Sequence, residues 1–343
     1  MHGATLPVDD SFLAGLGVHR IAVPVPFIEA GGPVNVCALL DEDGSWTLFD
    51  TGVGTAEGLA ALEAGATACG VDLDRVKRIV VSHGHVDHYG NAEVLAERSG
   101  ARVYVHPADA AKVSGDDAYS RMVRQHRGYF TRLGVPAEVL DQVESALSAS
   151  RPVARPVDRR RLVSLAHGER WRFRHFEATV LHAPGHTPGL VCLHDEAHRL
   201  LLADDHLLAL VSPNPLLDLS QGEGETKFLA LVRYLESARA VHALELDCVV
   251  PGHGEPFRGH RSLLDGLFEF YQRRQEKLVA HLERSPSTVY ELLEVLFPRR
   301  DVTRLLLMVS EVLANVEVLE ANGRVRRSLA GGAWRYVVSE PLR

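Results

Sequence analysis

The sequence predicts a layered α/β fold followed by a helical C-terminal module. Three observations carry that expectation. Short β-prone runs alternate with helical segments over most of the chain; one apolar run, Lys77–Ser82, leads straight into a histidine-rich turn; and after Gly259 the pattern changes to long amphipathic helices. Alternation of strands and helices packs them in layers.

The elements follow in order. Ile21–Phe27, Val34–Leu40 and Trp46–Asp50 read as strands, and Asp41–Gly44 between the last two reads as a hairpin turn. Gly58–Gly65 reads as helix. Lys77–Ser82, with Ile79, Val80 and Val81 at its centre, has the pattern of a strand buried on both faces. Asn91–Arg98 is helical and Arg102–Val105 is strand. Residues 107–150 turn helical, with helices expected at Tyr119–Leu133 and Pro136–Ala149; the first is read either as a roof over an active site or as a packed amphipathic helix. After the linker Arg151–Pro156, strands return at Arg170–Arg174, Glu177–Leu181, Leu190–Leu193, Leu200–Ala203 and Cys248–Val250, with a helix at Thr226–Arg239. Leu263–Glu283 is a long helix. Thr288 and Glu291 have capping-box spacing and open a helix through Leu296, and Val302–Glu320 is a third. Strands at Arg324–Ser328 and Trp334–Val338 flank Gly331-Gly332. Three helices and a hairpin make a winged-helix arrangement, so the expected division is a catalytic domain at 1–260, with a helical insert at about 107–150, and a winged-helix-like domain at 261–343.

Composition narrows the function classes. With 46% hydrophobic and 24% charged residues, the chain has the proportions of a globular protein and not of a disordered one. A formal charge of −8 argues against a general attraction to nucleic acid or anionic membrane. No run of apolar residues is long enough for a transmembrane helix, and Met1–Asp10 lacks the basic flank and apolar core of a signal peptide, so a cytoplasmic location is expected. Cys37, Cys69, Cys192 and Cys248 are scattered without close pairing, which argues against a disulfide framework or a cysteine zinc site. Histidine is the outlier, at 18 residues.

The decisive segment is Ser82-His83-Gly84-His85-Val86-Asp87-His88. It leaves the C-terminal end of an expected buried strand, where α/β folds place ligand sites. Three imidazoles and a carboxylate at this spacing cannot all be core residues, because each needs partners when buried. His186 in Pro184-Gly185-His186-Thr187-Pro188-Gly189, Asp205 after Leu200–Ala203, and His253 in Pro251-Gly252-His253-Gly254 occupy equivalent strand ends. Five histidines and two aspartates suit a pair of divalent ions held by imidazole nitrogen and carboxylate oxygen.

HxHxDH, then a histidine in a PGHT turn, an aspartate, and a histidine in a PGHG turn, resembles the metallo-β-lactamase-fold hydrolase superfamily; Asp50-Thr51-Gly52 matches its DTG turn. The resemblance covers roughly Ile21 to Gly259 and implies a four-layer αββα sandwich. It also implies that His83, His85 and His186 hold a first metal and Asp87, His88 and His253 a second, with Asp205 bridging and Asp87 also the catalytic carboxylate. Two divalent ions, zinc or else manganese or iron, are the implied cofactors. His85 stands where flavodiiron oxygen reductases usually carry glutamate, and no flavodoxin-like segment or β-CASP motif follows. The C-terminal helices and hairpin resemble those of the β-lactamase-like protein 2 group, which includes single-strand endoribonucleases and polyketide-releasing thioesterases. The implied activity is attack by a metal-bridging hydroxide on the carbonyl of a small-molecule ester, thioester or lactone, with cleavage of single-stranded RNA as the alternative.

Other features weigh less. His106, His182 and His206 lie near the motifs and read as structural. Asp204 competes with Asp205, and strand alternation is expected to turn it to the opposite face. Arg151–Arg174 carries eight arginines against Asp158 and Glu169, read as a solvated face or as a contact for an anionic substrate. The third C-terminal helix holds Glu311, Glu317 and Glu320 and reads as core packing or a homodimer contact, so nucleic-acid binding is not favoured.

Overall fold

The structure is a computed structural model and describes residues 5–26, 31–115, 124–149, 153–220, 222, 224, 227–299 and 304–339. Two compact units divide the chain. One comprises Met1–Asp117, Pro152–Pro213 and Ser237–Asp265; the other comprises Ala118–Arg151, Asn214–Glu236 and Gly266–Arg343.

The strands of the first unit are β1 (Leu6–Pro7), β2 (Val18–Val23), β3 (Val34–Leu40), β4 (Trp46–Phe49), β5 (Val76–Val80), β6 (Arg102–Val105), β7 (Leu162–Ser164), β8 (Arg170–Arg172), β9 (Glu177–His182), β10 (Val191–Asp195), β11 (Leu200–Asp204), β12 (Cys248–Pro251) and β13 (Phe257–Arg258). One sheet runs β2-β3-β4-β5-β6-β7 and the other β1-β13-β12-β11-β10-β9-β8. Strand β2 stops at Val23, short of the expected Phe27. Its ladder with β3 ends at the Val23–Val34 pair, and Pro24 and Pro26 have no N–H to extend it; Phe27 lies outside the described residues.

Side-chain alternation builds two cores. Val34, Val36 and Ala38 of β3 pack with Leu62 and Ala66 of helix Ala56–Ala68 and with Leu95 and Ala96 of helix Ala92–Ser99. Cys37 and Leu39, one step along, join Val191 and Leu193 of β10 and Leu200 and Leu202 of β11. The first sheet is therefore buried on both faces, by helices on one side and by the second sheet on the other. Strand β5 shows why its sequence is so apolar. It lies parallel between β4 and β6, with Ile79 in the helix-side core and Val80 between the sheets. The C-terminal ends of β5, β9, β11 and β12 release the histidine and aspartate segments.

In the second unit, Thr288 caps helix Val289–Leu296 with the reciprocal Glu291 contact expected from the spacing. Helix Leu305–Ala321 follows, then β14 (Val325–Ala330) and β15 (Ala333–Val338). Gly331 and Gly332 both have positive φ, 61° and 81°, as a two-residue hairpin turn requires. Tyr129, Phe130 and Leu133 of the insert share this unit's core with Leu292, Leu293, Val312, Val316 and Tyr336. They serve as core packing here; Tyr119–Val123, the start of the helix expected there, lie outside the described residues. Helix Leu305–Ala321 is buried nearly throughout, and its Glu311 and Glu317 are ion-paired with Arg274 and Lys227. Among the described residues, no helix is long and apolar enough to cross a membrane.

Candidate metal centre

His83, His85, Asp87 and His88 arrive together because the chain leaves β5, turns at Gly84, and starts the short helix Val86–Tyr89 with His85 as its N-cap. His83 Nε2 and His186 Nε2 each lie 2.9 Å from His85 Nδ1. Burial, followed by the charge of neighbouring imidazoles, holds the pKa of both His83 and His85 below the ordinary histidine value, well below for His85. His83, His85 and His186 thus aim ring nitrogens at one point, an arrangement that a cation satisfies.

A second group lies beside it. Asp87 Oδ2 is 3.5 Å from His253 Nε2 and 3.8 Å from His88 Nε2. Asp205 spans the two groups: Oδ2 is 3.3 Å from His186 Nε2 and 3.6 Å from His88 Nε2, and Oδ1 is 3.7 Å from His253 Nε2. All seven side chains offer ligand atoms to sets that fall within 4.8 Å. His88 Nε2 and Asp205 Oδ1 are buried without a hydrogen-bond partner among the described residues. Orphaned buried polar atoms are uncommon, and their convergence fits a divalent ion. Gly252 makes the approach possible, since a Cβ there would stand 2.2 Å from Asp205 Oδ1.

The rings of His88 and His253 are held from behind. His88 Nδ1 lies 2.9 Å from Asp50 Oδ2, and the Asp50 carboxylate also accepts from the Ser82 N–H and hydroxyl, both at 2.7 Å. His253 Nδ1 donates towards the carbonyls of Gly32 and Pro33, at 3.1 and 3.2 Å. Asn35 pins the turn that carries His253 by donating from Nδ2 to the carbonyls of Pro251 and Gly254. With Nδ1 bonded in this way, Nε2 of His88 and His253 presents its lone pair to the centre. Without a cation these two rings hold protons strongly. Burial opposes their charge, but Asp204, Asp205 and Asp87 outweigh it at His88, and Asp205 with Asp87 raises His253 to about 8. Burial likewise opposes ionisation of Asp205, yet His253 and His88 keep it well below the carboxylate range.

Asp204 departs from the expectation that it faces away. Residue 204 ends β11 with φ 49°, a left-handed conformation that breaks strand alternation. Its Oδ1 lies 3.2 Å from His83 Nδ1 and 3.3 Å from His88 Nδ1, behind one histidine of each group. His106 and His182 stack on each other at 3.9 Å, and buried His206 is pushed down to about 3 by burial and then by His186. Among the described residues none of the three belongs to the ligand groups. The arginine-rich stretch is tied down: Arg155 pairs with Glu97, Arg160 with Asp158, Arg161 with Glu93, and Arg170 and Arg172 with Glu177. Arg151 lies outside the described residues. Sequence reasoning missed Asn35 and Asp109. Asp109 follows β6, the parallel neighbour of β5 whose exit carries His83 to His88, a position that could have flagged it.

The sequence profile of the Metallo-beta-lactamase superfamily matches residues 30–253, the span that holds both groups. The chain belongs to this superfamily. Its two sheets and flanking helices are the family's αββα sandwich, and the enzyme is a metallo-hydrolase. It is similar to a probable metallo-hydrolase, YqjP, of Bacillus subtilis (strain 168), at 29% identity over 89% of this chain and 92% of the relative. Among solved structures, a metallo-beta-lactamase family protein from Thermus thermophilus superposes with a TM-score of 0.75 at 29% identity, covering 94% of this metallo-hydrolase and 98% of that chain. A shorter match, 31% identical over 126 residues, covers 37% of the metallo-hydrolase and 40% of an acyl-coenzyme A thioesterase of Gallus gallus.

Proposed function

We propose that this metallo-hydrolase cleaves a carboxylic ester or thioester, lactones included, at a two-metal centre. The observation that carries the reading is Asp205, whose two oxygens lie within 3.3–3.7 Å of nitrogens from both ligand groups. A carboxylate placed there balances two cations at once. In this reading His83, His85 and His186 would hold one ion and Asp87, His88 and His253 the other, with Asp205 available to both; imidazole and carboxylate donors suit zinc, manganese or iron. Ions bound there would supply Lewis acidity, polarising a carbonyl and acidifying water towards neutrality.

The chain's own residues do the rest. Asp50 and Asp204 keep His83 and His88 from turning, so their nitrogens are set before substrate arrives. The side chain of Asp87, 13% exposed against 8% for Asp205, is the more open of the two site carboxylates. The carboxylate oxygen of Asp87 that is not turned to the His88 and His253 nitrogens takes a proton from the attacking water and returns it to the leaving group. The net charge of −8 disfavours long polyanions, and the thioesterase relative supports carbonyl chemistry. A panel of acyl thioesters, aryl esters, lactones, an aryl phosphodiester and single-stranded RNA tests the reading. Turnover of a thioester, ester or lactone without phosphodiester cleavage supports it; RNA or phosphodiester cleavage alone replaces it.

A further inference from the structure

The three-histidine group is assembled from two distant segments. His83 and His85 come from the turn after β5, while His186 lies 101 residues beyond His85, after β9. Their nitrogens meet at 2.9 Å only if those segments keep a fixed separation. One fully buried carboxylate joins them. Asp109 Oδ2 accepts from the backbone N–H of Gly84, between the two histidines, at 2.9 Å, and from the hydroxyl of Thr187, next to His186, at 2.6 Å. Its other oxygen lies 3.3 Å from Lys112 Nζ, so the buried charge has a cationic partner. The His186 segment is also shaped around it. A Cβ on Gly189 would fall 2.8 Å from Asp109 Cγ and 2.9 Å from its backbone nitrogen, so only glycine lets this turn close over the carboxylate.

We propose that Asp109 is a positioning residue for the three-histidine group, its Oδ2 fastening Gly84 to Thr187 and so fixing His83 and His85 against His186. Asp109 offers no ligand atom to the groups found among the described residues. It acts through the backbone of one segment and the side chain of the other. The role rests on the metal reading above and adds to it a residue outside the motifs that carry the ligands. A bond of this kind restricts where the ligands sit, and losing such a partner typically costs about 10–100-fold in metal affinity or activity.

The test compares the full chain with Thr187→Val, which removes the hydroxyl and keeps the volume, and Thr187→Ser, which keeps the hydroxyl. Each is stripped, titrated with cobalt(II) against a competing chelator, and followed by cobalt absorption and by metal-to-protein ratio. Thr187→Val is expected to weaken one of the two ions by about tenfold or more, leaving the other close to wild type, while Thr187→Ser binds both as wild type does. Asp109→Asn, which sets an amide against Lys112, should shift the same ion, and its loss should not add to that of Thr187→Val in the double variant. Wild-type cobalt affinities in both Thr187→Val and Asp109→Asn would overturn the role, as would equal losses in Thr187→Val and Thr187→Ser. A wild-type chain that takes up no cobalt would instead overturn the metal reading on which the role depends, so the two failures are distinguishable.

Discussion

Replacing Asp204 by asparagine removes one negative charge from behind both ligand groups and leaves the backbone almost untouched. Asparagine tolerates the left-handed conformation at φ 49°, and its side-chain oxygen can still accept from the Asp205 N–H, as Asp204 Oδ1 does at 2.8 Å. The change falls on two contacts: 3.2 Å to His83 Nδ1 and 3.3 Å to His88 Nδ1. A hydrogen bond to a charged group contributes about 1.5–3 kcal/mol. Weakening these bonds makes the imidazoles poorer donors to a cation, and the usual cost of such a change is about 10–100-fold in metal affinity. That fold-change equals about 1.4–2.8 kcal/mol, so the two scales agree. The same amount should vanish from the stabilisation that saturating metal gives the folded chain. Chelator competition gives the affinities, and thermal unfolding with and without metal gives the linked stability. Wild-type affinity for both ions in Asp204→Asn would disprove this role, because the carboxylate would then only fill space.

Four further outcomes follow from the structure. Asp205→Asn, which leaves a neutral group between the two sets of nitrogens, should lose at least one ion and most turnover, measured by elemental analysis and steady-state rates. Proton release should separate the two groups: His253, raised to about 8, and His88, also raised, hold protons at neutral pH that metal must displace, whereas His83 and His85 do not. Affinity at the Asp87–His88–His253 group should therefore rise with pH through about 8, read by calorimetry in buffers of different ionisation enthalpy. In the metal-free chain the raised His253 contributes stability that is full below the unfolded value of about 6.5 and is lost as pH rises through about 8. In the second unit, Lys227→Met should destabilise by about 3–5 kcal/mol, because it strands buried Glu317; adding Glu317→Leu should recover most of the loss in thermal unfolding.

Much of the site was legible because its residues are chemically out of place. Histidines and aspartates at the exits of apolar strands need partners, and the motif order gave the ligand candidates before any geometry. The Thr288–Glu291 cap and the Gly331-Gly332 turn were legible for a similar reason: each is a local bond pattern tied to residue type and spacing. What the sequence hid is set by tertiary contact. Asp204 turns inward because φ goes positive at the end of β11, which no periodicity reports. Asn35 reads as one polar residue in an apolar strand until its amide meets the carbonyls of Pro251 and Gly254, more than two hundred residues away. Strand lengths erred where pairing stops: β2 ends at Val23 because its partner begins at Val34. The insert's Tyr129, Phe130 and Leu133 have the amphipathic pattern of any packed helix, and that pattern carries no address for the core they join.

The proposed chemistry stands or falls on whether two clusters of side chains joined by Asp205 hold a catalytic metal pair. The decisive experiment is elemental analysis of the purified chain, repeated after chelation and after metal is restored, with thioester and ester turnover followed on the same samples. Close to two ions per chain are expected, with activity that disappears when they are removed and recovery of both on reloading. A chain that binds no metal after supplementation, or that keeps its turnover when stripped, would contradict the metal-pair assignment.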